Sequence, residues 1–171
     1  MGQTVSDMVR SLAIVLGVIG AIMLVTWRPT PDPVRELDPL PLLVFANTQA
    51  DFPILVPEIA GLRATSARWE PTKYSQNEPV WHVGYVTAEE EYLEITQSAA
   101  SNEEYLINEI AGITADGEKS IAGQDWLVFA GSDSRALVRV TPDSTTVLSG
   151  TVSAAELEAA VASLATISPV E

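Results

Sequence analysis

The sequence predicts an α+β protein: an N-terminal transmembrane helix, then one domain with a largely antiparallel sheet of about seven strands and packed helices. Three observations predict it. An uncharged apolar stretch opens the chain. Short strand-like runs separated by tight turns follow, and strands joined so closely must be antiparallel, because parallel neighbours need long crossovers. Helical segments stand before, between and after the strand runs instead of alternating with each strand.

The opening stretch is "SLAIVLGVIGAIMLVTW", Ser11 to Trp27, 17 residues without a charge. At about 1.5 Å per residue it covers about 25 Å, close to the hydrocarbon core of a bilayer. Met8 and Val9 lengthen it if Arg10 snorkels its charge to the interface, and Trp27 and Arg28 suit the headgroup layer. A cleaved signal peptide would have a shorter apolar core followed by a small-x-small site. Here the stretch runs into Thr26-Trp27-Arg28-Pro29, so an uncleaved anchor is expected. Arg10 on one side and Arg28 and Arg35 on the other nearly balance the positive-inside count. The expected orientation leaves the short tail in the cytoplasm and exports the acidic remainder. The expected organisation is tail and anchor over 1–27, spacer over 28–41 and an extracytoplasmic α+β domain over 42–171.

"RPTPDPVRELDPLP", Arg28 to Pro41, has five prolines in 14 residues. That density excludes helix and favours semi-rigid extended chain, which suits a spacer. "PLLVFANTQA", Pro41 to Ala50, reads as a short amphipathic helix. Pro53 and Pro57 then force extended geometry on "DFPILVPEIAGL". "LRATSARWE" alternates apolar and polar residues, and "VWHVGYVT" and "YLEITQS" flank the hairpin loop "AEEE". "SNEEYLINEIAGI" switches to a helical period, with a capping box at Ser101 and Glu104 and apolar positions at Tyr105, Ile107 and Ile110. "EKSIAG", "QDWLVFAG", "ALVRVT" and "TTVLSGTV" read as four more strands, broken at "GQD", "GSDSR" and "TPDS", whose residues suit turns. "SAAELEAAVASLATI" closes the chain as a helix, with a capping box at Ser153 and Glu156 and a buried stripe at Leu157, Val161 and Leu164.

Composition narrows the chemistry. There is no cysteine, which removes disulfides, thiolate metal sites, thiol nucleophiles and a lipoprotein's acylated residue. The net charge of −14 repels phosphate backbones, so no nucleic-acid partner is expected. The single histidine, His82, lies within "WHVGYV". Strand alternation puts Trp81, Val83 and Tyr85 on one face and His82, Gly84 and Val86 on the other. Both faces are partly apolar, which favours a packing histidine over a catalytic one. The nucleophile-elbow pattern G-x-S-x-G is absent, and "AGSDSR" reads as a hairpin loop. In "AEEEYLE", Glu90, Tyr92 and Glu94 share a face, but no aspartate-rich calcium loop accompanies them. No G-x-G-x-x-G or Walker loop occurs, and "GEKS" lacks the glycine spacing of one. With 23 acidic residues, no carboxylate pair for glycoside hydrolysis stands out. Trp69, Trp81 and Trp126 fall in separate strands, as core or sheet-face residues would.

One N-terminal span, a proline-rich spacer, "FPILVPEIAGLRATSARWEP", "WHVGYVT", "GQDWLVFAG", "RALVRVT" and "TVLSGTVSAAELEAAVASL" follow one another in that order. The pattern resembles an actinobacterial family of membrane-anchored proteins known as a domain of unknown function, DUF4245. The resemblance implies a protein of a high-GC Gram-positive cell envelope and supports export of the acidic domain. It implies no activity, cofactor or catalytic residue.

The function expected is therefore a single-pass, membrane-anchored, extracytoplasmic binding or accessory module for an envelope component or membrane protein complex. Its partners would be the membrane and a protein, with no catalytic residue, metal or cofactor. The residues expected to bind are His82, Tyr85, Arg135 and Arg139. Two alternatives stand beside it. A cell-envelope hydrolase using His82 or a carboxylate pair needs a cleft that brings His82 to a serine or carboxylate. A lipid or small-molecule carrier needs an apolar cavity between sheet and helices.

Overall fold

The computed structural model describes residues 5–26, 35–73, 78–99, 109–110 and 112–167. The chain divides into two compact units, Met1–Pro33 and Val34–Glu171.

The first unit holds helix α1 (Val5–Thr26), 22 residues long. Every side chain described on it, from 8 to 24, is exposed. Among the described residues no helix is long and apolar enough to cross a membrane. Trp27, the last residue of the expected anchor, lies outside the described residues.

The second unit opens with α2 (Leu40–Gln49), one residue ahead of the helix expected from the sequence. Pro41 falls in its first turn, where the missing N–H is not needed. The Leu40 N–H donates to Asp38 Oδ1 at 3.0 Å. Leu43 and Ala46 point into the core. Just upstream, the Leu37 N–H donates to the Ala64 carbonyl at 2.9 Å, and Leu37 packs on the core. The last part of the proline-rich stretch is thus folded against the sheet; residues 28–34 of it lie outside the described residues.

The sheet has seven strands: β2 (Arg63–Lys73), β3 (Glu78–Val86), β4 (Tyr92–Ala99), β5 (Thr114–Ile121), β6 (Gln124–Ala130), β7 (Arg135–Val140) and β8 (Ser144–Gly150). Their order is β2-β3-β4-β8-β7-β6-β5, and every pair is antiparallel. The α+β class and the seven-stranded antiparallel sheet are as the sequence predicts. The "GEKS" tetrapeptide lies within β5.

Three local features differ from expectation. The break placed at "GQD" falls at Ala122-Gly123, with Gln124 and Asp125 already in β6. Ala122 and Gly123 take φ of 52° and 77°, the positive values that a two-residue hairpin turn demands, which pairs Ile121 with Gln124. The closing helix is shorter than the sequence suggests. It runs as α3 (Ala154–Ala162), and its Ser153–Glu156 capping box is complete. Leu164 is not on it. Leu164–Thr166 instead forms β9, paired antiparallel with β1 (Leu55–Pro57) in a separate two-stranded ribbon. The helix expected over "SNEEYLINEIAGI" lies largely outside the described residues; Glu109 is helical.

Both faces of the sheet are packed. Trp81, Val83, Tyr85, Ile95, Leu148 and Trp126 meet Leu43 and Ala46 of α2, Ile54, and Leu157, Ala160 and Val161 of α3. Each such large side chain contributes roughly 1.5–3 kcal/mol when fully buried. On the other face Val80, Ala136, Val138 and Val147 pack with Ile110, Ile113, Leu127 and Phe129. Trp81, Val83 and Tyr85 share one face, as the alternation predicts, and that face is the one that packs against α2 and α3.

Candidate functional site

The sheet does not bring the four expected binding residues together. Tyr85 and Arg135 lie in one cross-strand row, Tyr85–Leu93–Gly150–Arg135. Three strand spacings separate them, about 14 Å. Arg139 belongs to another row on the same face, Trp81–Gln97–Thr146–Arg139. His82 is one residue out of phase with Trp81 and so belongs to the opposite face.

His82 is 3% exposed. Its Nδ1 lies 3.2 Å from Thr96 Oγ1 and 3.5 Å from Glu94 Oε1. The carboxylate that a hydrolase would need is therefore near it. The imidazole lines none of the four clefts described below, so a substrate in those clefts cannot reach it. Around it lies a polar strip. The Tyr92 phenol hydrogen-bonds Ser66 and Glu94; burial first, then the Glu94 charge, pushes its pKa above the usual tyrosine value, against a lowering bond from Ser66 and the Arg68 charge. Glu90, expected on the face of Tyr92 and Glu94, is instead in the hairpin turn at φ 64°.

Tyr85 is buried, and desolvation pushes its hydroxyl pKa up to about 12. It lines an open cleft with Glu36, Leu37, Asp38, Leu62 and Ala64. Arg135 is half-buried, and its Nη1 donates to the Val152 carbonyl at 3.2 Å, tying β7 to the segment before α3. It also borders a small cleft with Lys119, Leu137 and Glu158. A mostly apolar cleft of about 210 Å³ lies between Ile59, Leu62, Leu93, Val152 and Ala159.

Arg139 stands in the cleft with the richest set of binding groups, about 330 Å³ in volume. The β1–β9 ribbon contributes Leu55 and Leu164, α3 contributes Val161, and the β7–β8 hairpin contributes Thr141, Ser144 and Thr146. The Arg139 Nη1 donates to Gln124 Oε1, and the guanidinium carbon lies 5.8 Å from the Trp126 ring centroid. That stacking holds the cation against the sheet. Thr141 and Ser144 are pinned to one another, since the Ser144 N–H donates to Thr141 Oγ1 at 3.0 Å.

Gln97, which the sequence pattern does not single out, lies behind the cleft and bonds to three residues that line it, Pro53, Leu55 and Thr146. It is fully buried. Its Oε1 accepts from the Leu55 N–H at 2.8 Å, while its Nε2 donates to the Pro53 carbonyl at 3.2 Å and to Thr146 Oγ1 at 3.3 Å. A readable signal existed: Leu93, Ile95 and Gln97 alternate inward, so an amide occupies a core position. A buried amide needs partners.

Chemically the cleft offers a fixed cation, hydroxyls, the Asp143 carboxylate and an apolar wall, a set of groups that can hold a ligand. Among the described residues no group of three or more His, Cys, Asp or Glu could hold a metal ion.

Fold and site together define a small α+β domain with a polar cleft beside its sheet; an apolar helix precedes it in the sequence. The chain belongs to the family described as Protein of unknown function (DUF4245), whose model matches residues 1–164. Among curated proteins none matches this sequence.

Proposed function

We propose that this protein is a single-pass, membrane-anchored module that binds an envelope component or a membrane protein complex and catalyses no reaction. One observation carries the anchor. From Met8 to Leu24 every α1 side chain is exposed, and Arg10 is the one charge among them. A helix that is apolar all round belongs in a core or in lipid. With the flanking Val25, Thr26 and Trp27 the apolar stretch reaches the length of a span.

The bulk of the chain is placed outside the cytoplasm. The acidity of the whole chain, −14, is the feature that favours that orientation. The Arg139 cleft is the proposed seat of the partner, because it combines a cation with hydroxyls in a strongly acidic protein.

The test uses full-length protein with a C-terminal tag in intact protoplasts. The expected result is resistance to alkaline extraction and loss of the tag to added protease. A freely soluble product, or a tag shielded until the cells are broken, overturns the reading. Cross-linking in native membranes then compares the unaltered chain with Arg139→Glu. Loss of a discrete adduct in the variant supports the cleft; an identical pattern counts against it.

A further inference from the structure

We infer that α2 is a second, interfacial contact with the membrane: its outward face of Leu40, Val44 and Phe45 seats in a lipid surface of neutral headgroups. This rests on the proposed anchor. The helix "LPLLVFANTQ" contains no charged residue. A surface helix ordinarily turns charged or polar groups to water. Here Leu43 and Ala46 fill the core, while Leu40, Val44 and Phe45 are 56%, 38% and 51% exposed. Leu40 and Val44 are four residues apart, as are Pro41 and Phe45, so all four lie on one side of the helix.

The exposure is concentrated. Among the described residues of the folded unit, the large apolar side chains left exposed are these three, Tyr92 and Val140. A cluster of this kind marks an interaction surface, whereas single exposed residues do not. Leucine, valine and phenylalanine on one face suit the boundary between headgroups and acyl chains.

Chain length selects the occupant. Leu37 is tied to the sheet by its bond to Ala64, and α1 ends at Thr26. Ten residues lie between them, a reach of at most about 40 Å. An anchored chain therefore keeps α2, the first element of the folded unit, permanently within range of the bilayer surface at high effective concentration. Glu36, Asp38 and Asp51 flank the helix and outnumber Arg35, and with the overall charge of −14 they oppose anionic headgroups.

The chain has no cysteine, so Phe45→Cys or Leu40→Cys accepts a single environment-sensitive fluorophore in the full-length protein. Ser132→Cys, in the exposed β6–β7 turn, is the reference. Each labelled protein is reconstituted into phosphatidylcholine vesicles carrying lipids brominated near the top of the acyl chain. The expected result is co-flotation, with quenching several-fold stronger at 45 and 40 than at 132, and weaker quenching as phosphatidylglycerol is added. Co-flotation with equal quenching at all three sites overturns the inference alone. So does shielding of 45 from aqueous iodide without lipid quenching, which would mean a protein covers the face. Failure to co-float overturns the anchor and this inference together.

Discussion

His82 and Glu94 meet diagonally across β3 and β4, with Nδ1 3.5 Å from Oε1, while Thr96 sits directly opposite the histidine. Diagonal pairs of this kind lie within reach of long side chains and stabilise a sheet. The role that follows is cohesion of the two strands. A double-mutant cycle of His82→Gln and Glu94→Gln should show a coupling of about 1 kcal/mol in urea denaturation. Membrane cross-links should match those of the unaltered chain. An altered adduct pattern with normal stability would return His82 to the binding surface.

Tyr85 links burial to alkaline stability. Its hydroxyl pKa is raised from 10.0 to about 12 because the ionised form would be buried. Between those values the unfolded chain loses the proton and the folded chain keeps it. Folding stability is therefore full below pH 10 and falls as pH rises toward 12, by about 3 kcal/mol in all. Tyr85→Phe removes this loss. Urea midpoints across that window, for the two proteins, should diverge in slope; parallel curves would refute the assignment.

Much of the sheet was legible because alternation and turn chemistry are local. "VWHVGYV" and "YLEITQS" each carry a period of two, and Gly, Ser, Asp and Pro mark the breaks between most strands. The β1–β9 ribbon was not legible. A strand of three residues has no period to read, and Leu55 finds Thr166 only through the fold. Helical period ran on through "SLATI" because Leu164 fits the stripe of Leu157 and Val161; tertiary pairing with β1 decided otherwise. The candidate cleft depends on that same ribbon, so Arg139 could be named from the sequence but its neighbours could not. Nothing in the local pattern relates His82 to the two arginines; only the strand pairing sets them on opposite faces.

Gly150 marks a place where two backbones nearly touch. A Cβ there would sit 2.0 Å from the Tyr92 carbonyl oxygen, which cannot move without opening the β4–β8 pairing. Gly150→Ala should cost about 3 kcal/mol, at the upper end of overpacking substitutions. Thermal or urea denaturation reads it directly. A change below about 0.5 kcal/mol, the range of an ordinary surface substitution, would show that this contact relaxes freely.

Gln97 is the clip that holds the Arg139 cleft in shape. One amide reaches the Leu55 N–H, the Pro53 carbonyl and Thr146 Oγ1, so it joins the ribbon, β4 and β8. Gln97→Leu keeps the volume but strips the acceptor from the Leu55 N–H. A buried donor left unpaired costs about 1–3 kcal/mol. The ribbon has only three residues per strand, so the loss should appear there first, as local opening rather than global unfolding. Hydrogen exchange at Leu55 should accelerate by roughly ten-fold or more, since about 1.4 kcal/mol corresponds to a factor of ten. Amides in the centre of β3 should keep their protection. If Leu55 and the β3 amides speed up together, the ribbon is not an independent unit and the cleft does not depend on Gln97 alone.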